Sequence, residues 1–296
     1  MKVSIVIPTY NCADLLVTTL RSIQMGGHDD VEVVVMDGGS TDHISKVVAD
    51  FGDLVSVFVS EPDDGQYDAI NKGMARTTGD ILCWINSGDF FLPGAVANAV
   101  SVFSKHREVR WLAGRPCVAE GGALRRQGNF EVVVSNLEIR YGLCCGGATG
   151  FLQQEGMFWD RALWTETGGL DTRYRLAADF ELWTRFAKAT ELTRMTIPSA
   201  AFSYHDTNRS IVEKKSYMEE VATAISRFSK EEIRIRRRLR PLPFLMRVIR
   251  KIPIVKPVSR FILQRSSKLS VLVVSWRKNR EGGFTLEANR RVCWIR

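Results

Sequence analysis

Apolar residues at the start of the chain fall into short, nearly continuous runs. Val3-Ser4-Ile5-Val6-Ile7 stops at Pro8, and Val31–Met36, Leu54–Val59 and Ile81–Ile85 follow. These runs are rich in β-branched residues and do not alternate with polar ones, the pattern of strands covered on both faces of a parallel sheet. Between them the period changes. Leu16, Leu20 and Ile23 share one helical face within Asp14–Met25, and Gly26-Gly27 ends that helix. Ser40-Thr41-Asp42 offers the start of a helix reaching Asp50. Gln66–Thr78 reads as another, closed by Gly79 as a C-cap residue. Strands alternating with helices predict a doubly wound α/β sheet, in which ligands bind beyond the carboxyl ends of the strands.

The pattern loosens from residue 111 to 155, a Gly-rich stretch expected to hold strands and a mobile loop centred on Gly142–Gly150. It sharpens again at Leu176–Lys188, a helix with Leu176, Phe180, Trp183 and Ala187 on one face. Leu192–Ile197 reads as a last strand and Ser216–Phe228 as a helix. No apolar run approaches the roughly 20 residues of a membrane span. The first apolar run ends too early, at Pro8, for a secretory leader.

Charge divides the chain of 296 residues. Residues 228–296 hold 19 Lys/Arg and 4 Asp/Glu, whereas residues 1–227 hold 22 and 29. A mildly acidic body with a strongly basic tail suggests that the tail meets phosphate or an anionic membrane surface. Within the tail, Phe244–Ile252 mixes apolar and basic residues at helical spacing, as surface-lying helices do; a solvated basic helix packed on the body is the plainer reading. The six cysteines, at 12, 83, 117, 144, 145 and 293, show no CxxC spacing. A reducing compartment without a disulfide framework is expected. The tail could in principle grip nucleic acid, but no recognition signature supports this and the acidic body argues against it.

Five polar clusters could carry chemistry. Asp37-Gly38-Gly39-Ser40-Thr41-Asp42 closes the second strand, where a carboxylate can accept hydrogen bonds from a base or ribose; an ordinary strand-to-helix turn explains it equally well. Asp68, Asn71 and Lys72 share a face of the next helix and could reach a diphosphate, or simply be solvated. Asn86-Ser87-Gly88-Asp89 sets a lone acid beyond a buried strand. One Asp suffices for Mg²⁺ when substrate phosphates supply the remaining ligands. Asp179, between Ala178 and Phe180, is a candidate general base or a solvated helical acid. His205 is a surface residue or a second metal ligand beside Asp89.

Taken together, "VSIVIPTYN", "VVMDGGSTDH", "SEPDDGQYDAINKGMARTTGDILCWINSGDFFLPGA" and "QQEGMFWDRALWTETGGLDTRYRLAADFELWTRFA" resemble family 2 glycosyltransferases in order and spacing. The resemblance implies a GT-A fold, Rossmann-like with a mostly parallel sheet and helices on both faces. It spans residues 1–215, with a nucleotide-sugar half to about 110 and an acceptor half to 215; residues 216–296 are expected to form a basic, helical extension. It implies that Thr9 and Tyr10 line the nucleotide pocket and Asp37 contacts the base. Asp68, Asn71 and Lys72 would lie near the donor diphosphate. Asp89 would bind Mg²⁺ or Mn²⁺, with His205 as a further contact, and Asp179 would be the catalytic base. Gln153, Gln154 and Glu155 would begin the acceptor side. Many relatives carry two adjacent acids where this chain has Gly88-Asp89, which puts the donor contact at Gly88 in question. The implied activity is metal-assisted, inverting transfer from a nucleotide-sugar, UDP-linked above others, to a hydroxyl of a glycan or lipid-linked saccharide, as in polysaccharide biosynthesis. A cytoplasmic enzyme, peripheral on the inner face of the membrane, would fit. A non-catalytic nucleotide-sugar-binding protein on the same fold is the alternative.

Overall fold

The computed structural model describes residues 1–125, 134–146, 150–204, 208 and 212–241, and the backbone of 270–278 and 284–292. The N-terminal half runs β1 (Val3–Thr9), α1 (Ala13–Gln24), β2 (Val31–Asp37), α2 (Ile44–Phe51), β3 (Val55–Ser60), α3 (Gln66–Met74) and β4 (Ile81–Trp84). There follow β5 (Phe90–Phe91), α4 (Ala95–Lys105), β6 (Trp111–Glu120), β7 (Ala123–Arg125), α5 (Asn136–Arg140), β8 (Met157–Asp160) and α6 (Arg161–Thr167). The chain continues through α7 (Ala178–Ala189), β9 (Leu192–Tyr204), α8 (Lys214–Ser226), α9 (Lys230–Leu239), β10 (Ser270–Lys278) and β11 (Phe284–Val292).

One sheet unites them in the order β11-β10-β9-β6-β8-β4-β1-β2-β3. The pairs β1–β2, β2–β3, β1–β4, β6–β9 and β9–β10 are parallel, and β8 enters antiparallel between β4 and β6. Both faces of β1, β2 and β4 are buried, which is why these strands read as nearly continuous apolar runs. On β1, Ile5 and Ile7 join Leu16, Leu20, Ile44 and Val102 on the α1–α2–α4 side. Val6 points the other way and joins Ile70, Trp84, Trp159 and Trp183 on the α3–α7 side. There Trp183 stacks on Trp84 with ring centroids 5.5 Å apart, and on Trp111 at 5.4 Å. Such offset pairs add about 0.5–1.5 kcal/mol each beyond area burial. Helix α7 is thereby fastened to the sheet one turn beyond Asp179.

Several sequence expectations shift. Helix α3 ends at Met74, not Thr78, because the Thr77 hydroxyl donates to the Met74 carbonyl at 2.7 Å and turns the chain. Gly79 therefore caps nothing. It lets the chain pass β1, where an added Cβ would lie 2.6 Å from Ser4 Oγ. Helix α2 starts at Ile44, whose N–H donates to Asp42 Oδ1 at 3.3 Å, while Asp42 Oδ2 accepts the Ala13 N–H at 2.9 Å. The last expected strand extends to Tyr204. Of the expected mobile loop, Gly142 to Gly146 form a turn and a bridge to Phe151, and 147–149 lie outside the described residues. Among the described residues the tail is helical through Leu239 and then forms β10 and β11, an antiparallel strand pair; Phe244–Ile252 lies outside the described residues. No helix among the described residues is long and apolar enough to cross a membrane.

A buried carboxylate ties the amino ends of these strands together. Glu32 accepts from Ser4 Oγ at 2.5 Å, from the Thr78 N–H at 2.7 Å and from Lys2 Nζ at 3.0 Å. Burial raises its pKa, but these bonds together outweigh burial and hold it at about 2. A group whose folded pKa is depressed stabilises the fold above its unfolded pKa and loses that contribution as pH falls. The chain is therefore expected to lose stability between pH 4.5 and about 2, and Glu32→Gln is expected to flatten that stretch of the acid-unfolding curve.

Candidate active site

The carboxyl ends of β1 and β4 open into a cleft of about 1460 Å³. It is larger than ordinary small-ligand pockets, which measure about 300–1,000 Å³. Thr9, Tyr10, Asn86, Asp89, Gln153, Gln154, Glu155, Asp179 and Tyr217 line it. Tyr10 is 63% exposed, an aromatic face presented to the cleft. The strand-end turns are cross-linked. Asn11 adopts a left-handed conformation (φ 48°) and its Oδ1 accepts the Thr41 N–H at 2.9 Å, while Ser40 Oγ accepts the Asn11 N–H at 2.7 Å.

Asp89 sits just past β4 because residue 88 is glycine with φ 98°, a conformation that strains any residue with a Cβ. The lone acid is thus a property of the turn. An Asp at 88 would be strained and would face Leu15 on α1, and Gly88 does not line the cleft. Asp89 is buried and one oxygen accepts the Ser203 N–H at 2.8 Å. Its other neighbour is Glu155, also buried, whose Oε1 accepts from Gln154 Nε2 at 3.1 Å. Burial first, and Glu155 second, push the Asp89 carboxyl well above the usual range; burial also raises Glu155. Two such carboxyls in contact cannot both ionise without a proton or a cation between them.

Asp179 opens α7, half-buried in the cleft wall, and accepts the Phe180 N–H at 2.7 Å. The Tyr67 hydroxyl lies beside its carboxylate and donates to the Leu176 carbonyl at 2.8 Å. Desolvation outweighs these hydrogen bonds and lifts the Asp179 pKa to about 6.

Other sequence candidates are placed differently. Asp37 is buried, accepting the Ser40 N–H at 3.0 Å and Ser60 Oγ at 2.6 Å, and does not line the cleft. Its carboxylate joins the ends of β2 and β3. Asp68 pairs with Lys72 at 2.8 Å. Asn71 grips Leu170, donating to its carbonyl at 2.8 Å and accepting its N–H at 3.0 Å. None of these three lines the cleft; the α3 residues that do are Gln66, Tyr67 and Ala69. Helical rotation sets the 68-71-72 face toward the 170 loop and solvent. Glu155, expected on the acceptor side, is the partner of Asp89. His205 lies outside the described residues. Sequence reasoning missed Tyr67, although it stands inside a quoted motif, and it missed Tyr217 and Glu220, which carry no local signal.

Among the described residues no group of three or more His, Cys, Asp or Glu is placed to hold a metal. The donor set on offer is Asp89 with Glu155, whose Oε2 is buried without a hydrogen-bond partner. Two carboxylates facing one another in a cleft large enough for substrate phosphates suit a hard divalent cation.

The model of glycosyl transferase family 2 matches residues 4–154, half of the chain. The chain belongs to glycosyl transferase family 2. An uncharacterized glycosyltransferase of Mycobacterium tuberculosis is 29% identical over 193 residues, 64% of this chain and 70% of that protein. A PGL/p-HBAD biosynthesis glycosyltransferase of Mycobacterium bovis is 26% identical over 283 residues, 94% of this chain and 98% of that one, so this likeness takes in the C-terminal segment. Among solved structures, S. aureus TarS in complex with UDP shares the transferase's fold with a TM-score of 0.59 at 18% identity, covering 79% of this chain and 68% of TarS. The mannosyltransferase PcManGT of Pyrobaculum calidifontis, in complex with GDP-Man and Mn²⁺, has a TM-score of 0.58 at 20% identity, covering 77% and 65%. The fold is GT-A, and the protein is a glycosyltransferase enzyme.

Proposed function

We propose that the enzyme moves a sugar from a nucleotide-sugar to a hydroxyl of a glycan or lipid-linked acceptor, with inversion at the anomeric carbon. The observation that carries the reading is a half-buried carboxylate, Asp179, sharing one cleft with the Asp89–Glu155 pair. Asp179 accepts the acceptor's proton as its oxygen attacks the anomeric carbon, while the diphosphate leaves from the opposite face. Tyr67 stands beside that carboxylate and ties the segment before it through the Leu176 carbonyl. Asp89, with Glu155 beside it, would hold Mg²⁺ or Mn²⁺. A divalent cation there would neutralise charge growing on the leaving diphosphate. Tyr10 offers its exposed ring to the base of the nucleotide. The TarS–UDP and PcManGT–GDP-Man complexes support a nucleotide-sugar donor, and the PGL/p-HBAD relative supports a glycolipid or polysaccharide acceptor. UDP is the donor nucleotide this reading favours.

In this reading Lys230, Arg234, Arg237 and Arg238, at successive turns of one face of α9, lean on an anionic membrane where a lipid-linked acceptor resides. Each basic residue near such a surface contributes about 1 kcal/mol.

A donor screen tests the function. UDP-, GDP- and dTDP-sugars are mixed with the protein with Mn²⁺ or with EDTA, and nucleotide release and thermal shift are followed. One nucleotide class is expected to respond, and EDTA to abolish the response. Catalysis through Asp179 requires its ionised form, so kcat/KM is expected to fall about tenfold per pH unit below about 6. A profile flat to pH 5 would remove Asp179 from the role of base.

A further inference from the structure

The segment leading into α7 is held by a residue 43 to 45 positions further along the chain. Glu220, on α8, accepts the N–H of Arg175 at 3.0 Å, of Leu176 at 2.8 Å and of Ala177 at 2.9 Å. Three successive backbone N–H groups converging on one carboxylate form an anion nest. Ala177 is the N-cap residue of α7 and its side chain offers no cap of its own. Next to it, the Leu176 carbonyl accepts the Tyr67 hydroxyl at 2.8 Å, close to Asp179. Tyr217 lies three residues before Glu220, one turn back on α8, and lines the cleft beside Asp179. Downstream, Trp183 fixes the helix body to the sheet. The entry to α7 therefore depends on Glu220.

We propose that Glu220 is a positioning residue for Asp179: its carboxylate, lent by α8, sets where the base stands in the cleft. This rests on the reading of Asp179 as the base. It makes α8 part of the catalytic machinery, although the helix begins at the edge of the segment that the sequence motifs set apart as an extension. Both residues lie beyond the stretch that the family model matches. A tie that served folding alone would lower thermal stability without touching turnover on the folded protein.

The test uses Glu220→Ala and Glu220→Gln in the full chain, with Asp179→Asn alongside. Turnover of the nucleotide-sugar that responds in the donor screen gives kcat and KM, calorimetry gives UDP affinity, and near-UV dichroism reports the tryptophan cluster. Glu220→Ala is expected to lower kcat about 10- to 100-fold, the scale of an ångström-sized misplacement, with donor KM and UDP affinity unchanged. Glu220→Gln keeps an acceptor oxygen of the same reach without the charge, so its kcat is expected to fall between wild type and Ala. If Glu220→Ala does not fold, Glu220→Gln decides: lowered kcat with intact dichroism and UDP affinity supports the proposal. Wild-type kcat in the folded variants overturns it, as does an equal loss of turnover and UDP affinity, which would report a generally loosened cleft. Full turnover in Asp179→Asn would instead sink the reading of the base. A dead Asp179→Asn beside wild-type Glu220 variants would sink only the present proposal.

Discussion

Replacing Asp179 by Asn is expected to reduce transfer by about 10²–10⁴-fold, the contribution of a positioned general base, while leaving nucleotide affinity intact. The substitution is close to isosteric. An amide oxygen can still accept the Phe180 N–H, so the first turn of α7 should persist. Trp183, stacked on Trp84 and Trp111, holds the helix regardless of what stands at 179. The change therefore removes proton acceptance and little else. Single-turnover rates and UDP titration of the same preparation separate the two quantities. A variant that binds UDP and turns over normally would show that the acceptor proton leaves by another route.

The second large effect is expected at Asp89. Asp89→Ala removes the carboxylate that the Ser203 N–H and Glu155 surround, leaving that N–H without its acceptor and Glu155 alone. Stabilisation of charge on a leaving group by a metal contributes several kcal/mol, so the rate is expected to fall roughly 10³-fold. The accompanying signature is loss of Mn²⁺ binding by calorimetry, measured without substrate turnover. Glu155→Gln is expected to weaken the same Mn²⁺ affinity less severely, because Asp89 remains. Unaltered Mn²⁺ binding in Asp89→Ala would place the cation elsewhere in the cleft.

Much of this architecture was legible because the chain obeys simple periodicities. Strands covered on both faces are nearly all apolar, and the apolar runs lie within a residue or two of the ends of β1, β2 and β4. The helix carrying Asp179 announced itself through Phe180, Trp183 and Ala187. What escaped depends on contacts that no local window holds. Gly79 looked like a helix cap, but the chain needs glycine there to pass Ser4. The partners that Asp37 and Asn71 take up in the fold, Ser60 and Leu170, are equally out of local reach. Glu155 and Glu220 are ordinary acids in sequence. Their roles arise only when β4, the loop before β8, α7 and α8 converge.

The central claim, a single displacement with Asp179 as the base, is tested most directly by stereochemistry. Slow hydrolysis of an α-linked nucleotide-sugar by the enzyme, with water in place of the acceptor, can be followed by proton NMR from the first turnovers, before the free sugar mutarotates. The β-anomer is predicted to appear first. Initial release of the α-anomer would mean retention, and would contradict a mechanism in which Asp179 activates the incoming oxygen for one in-line attack.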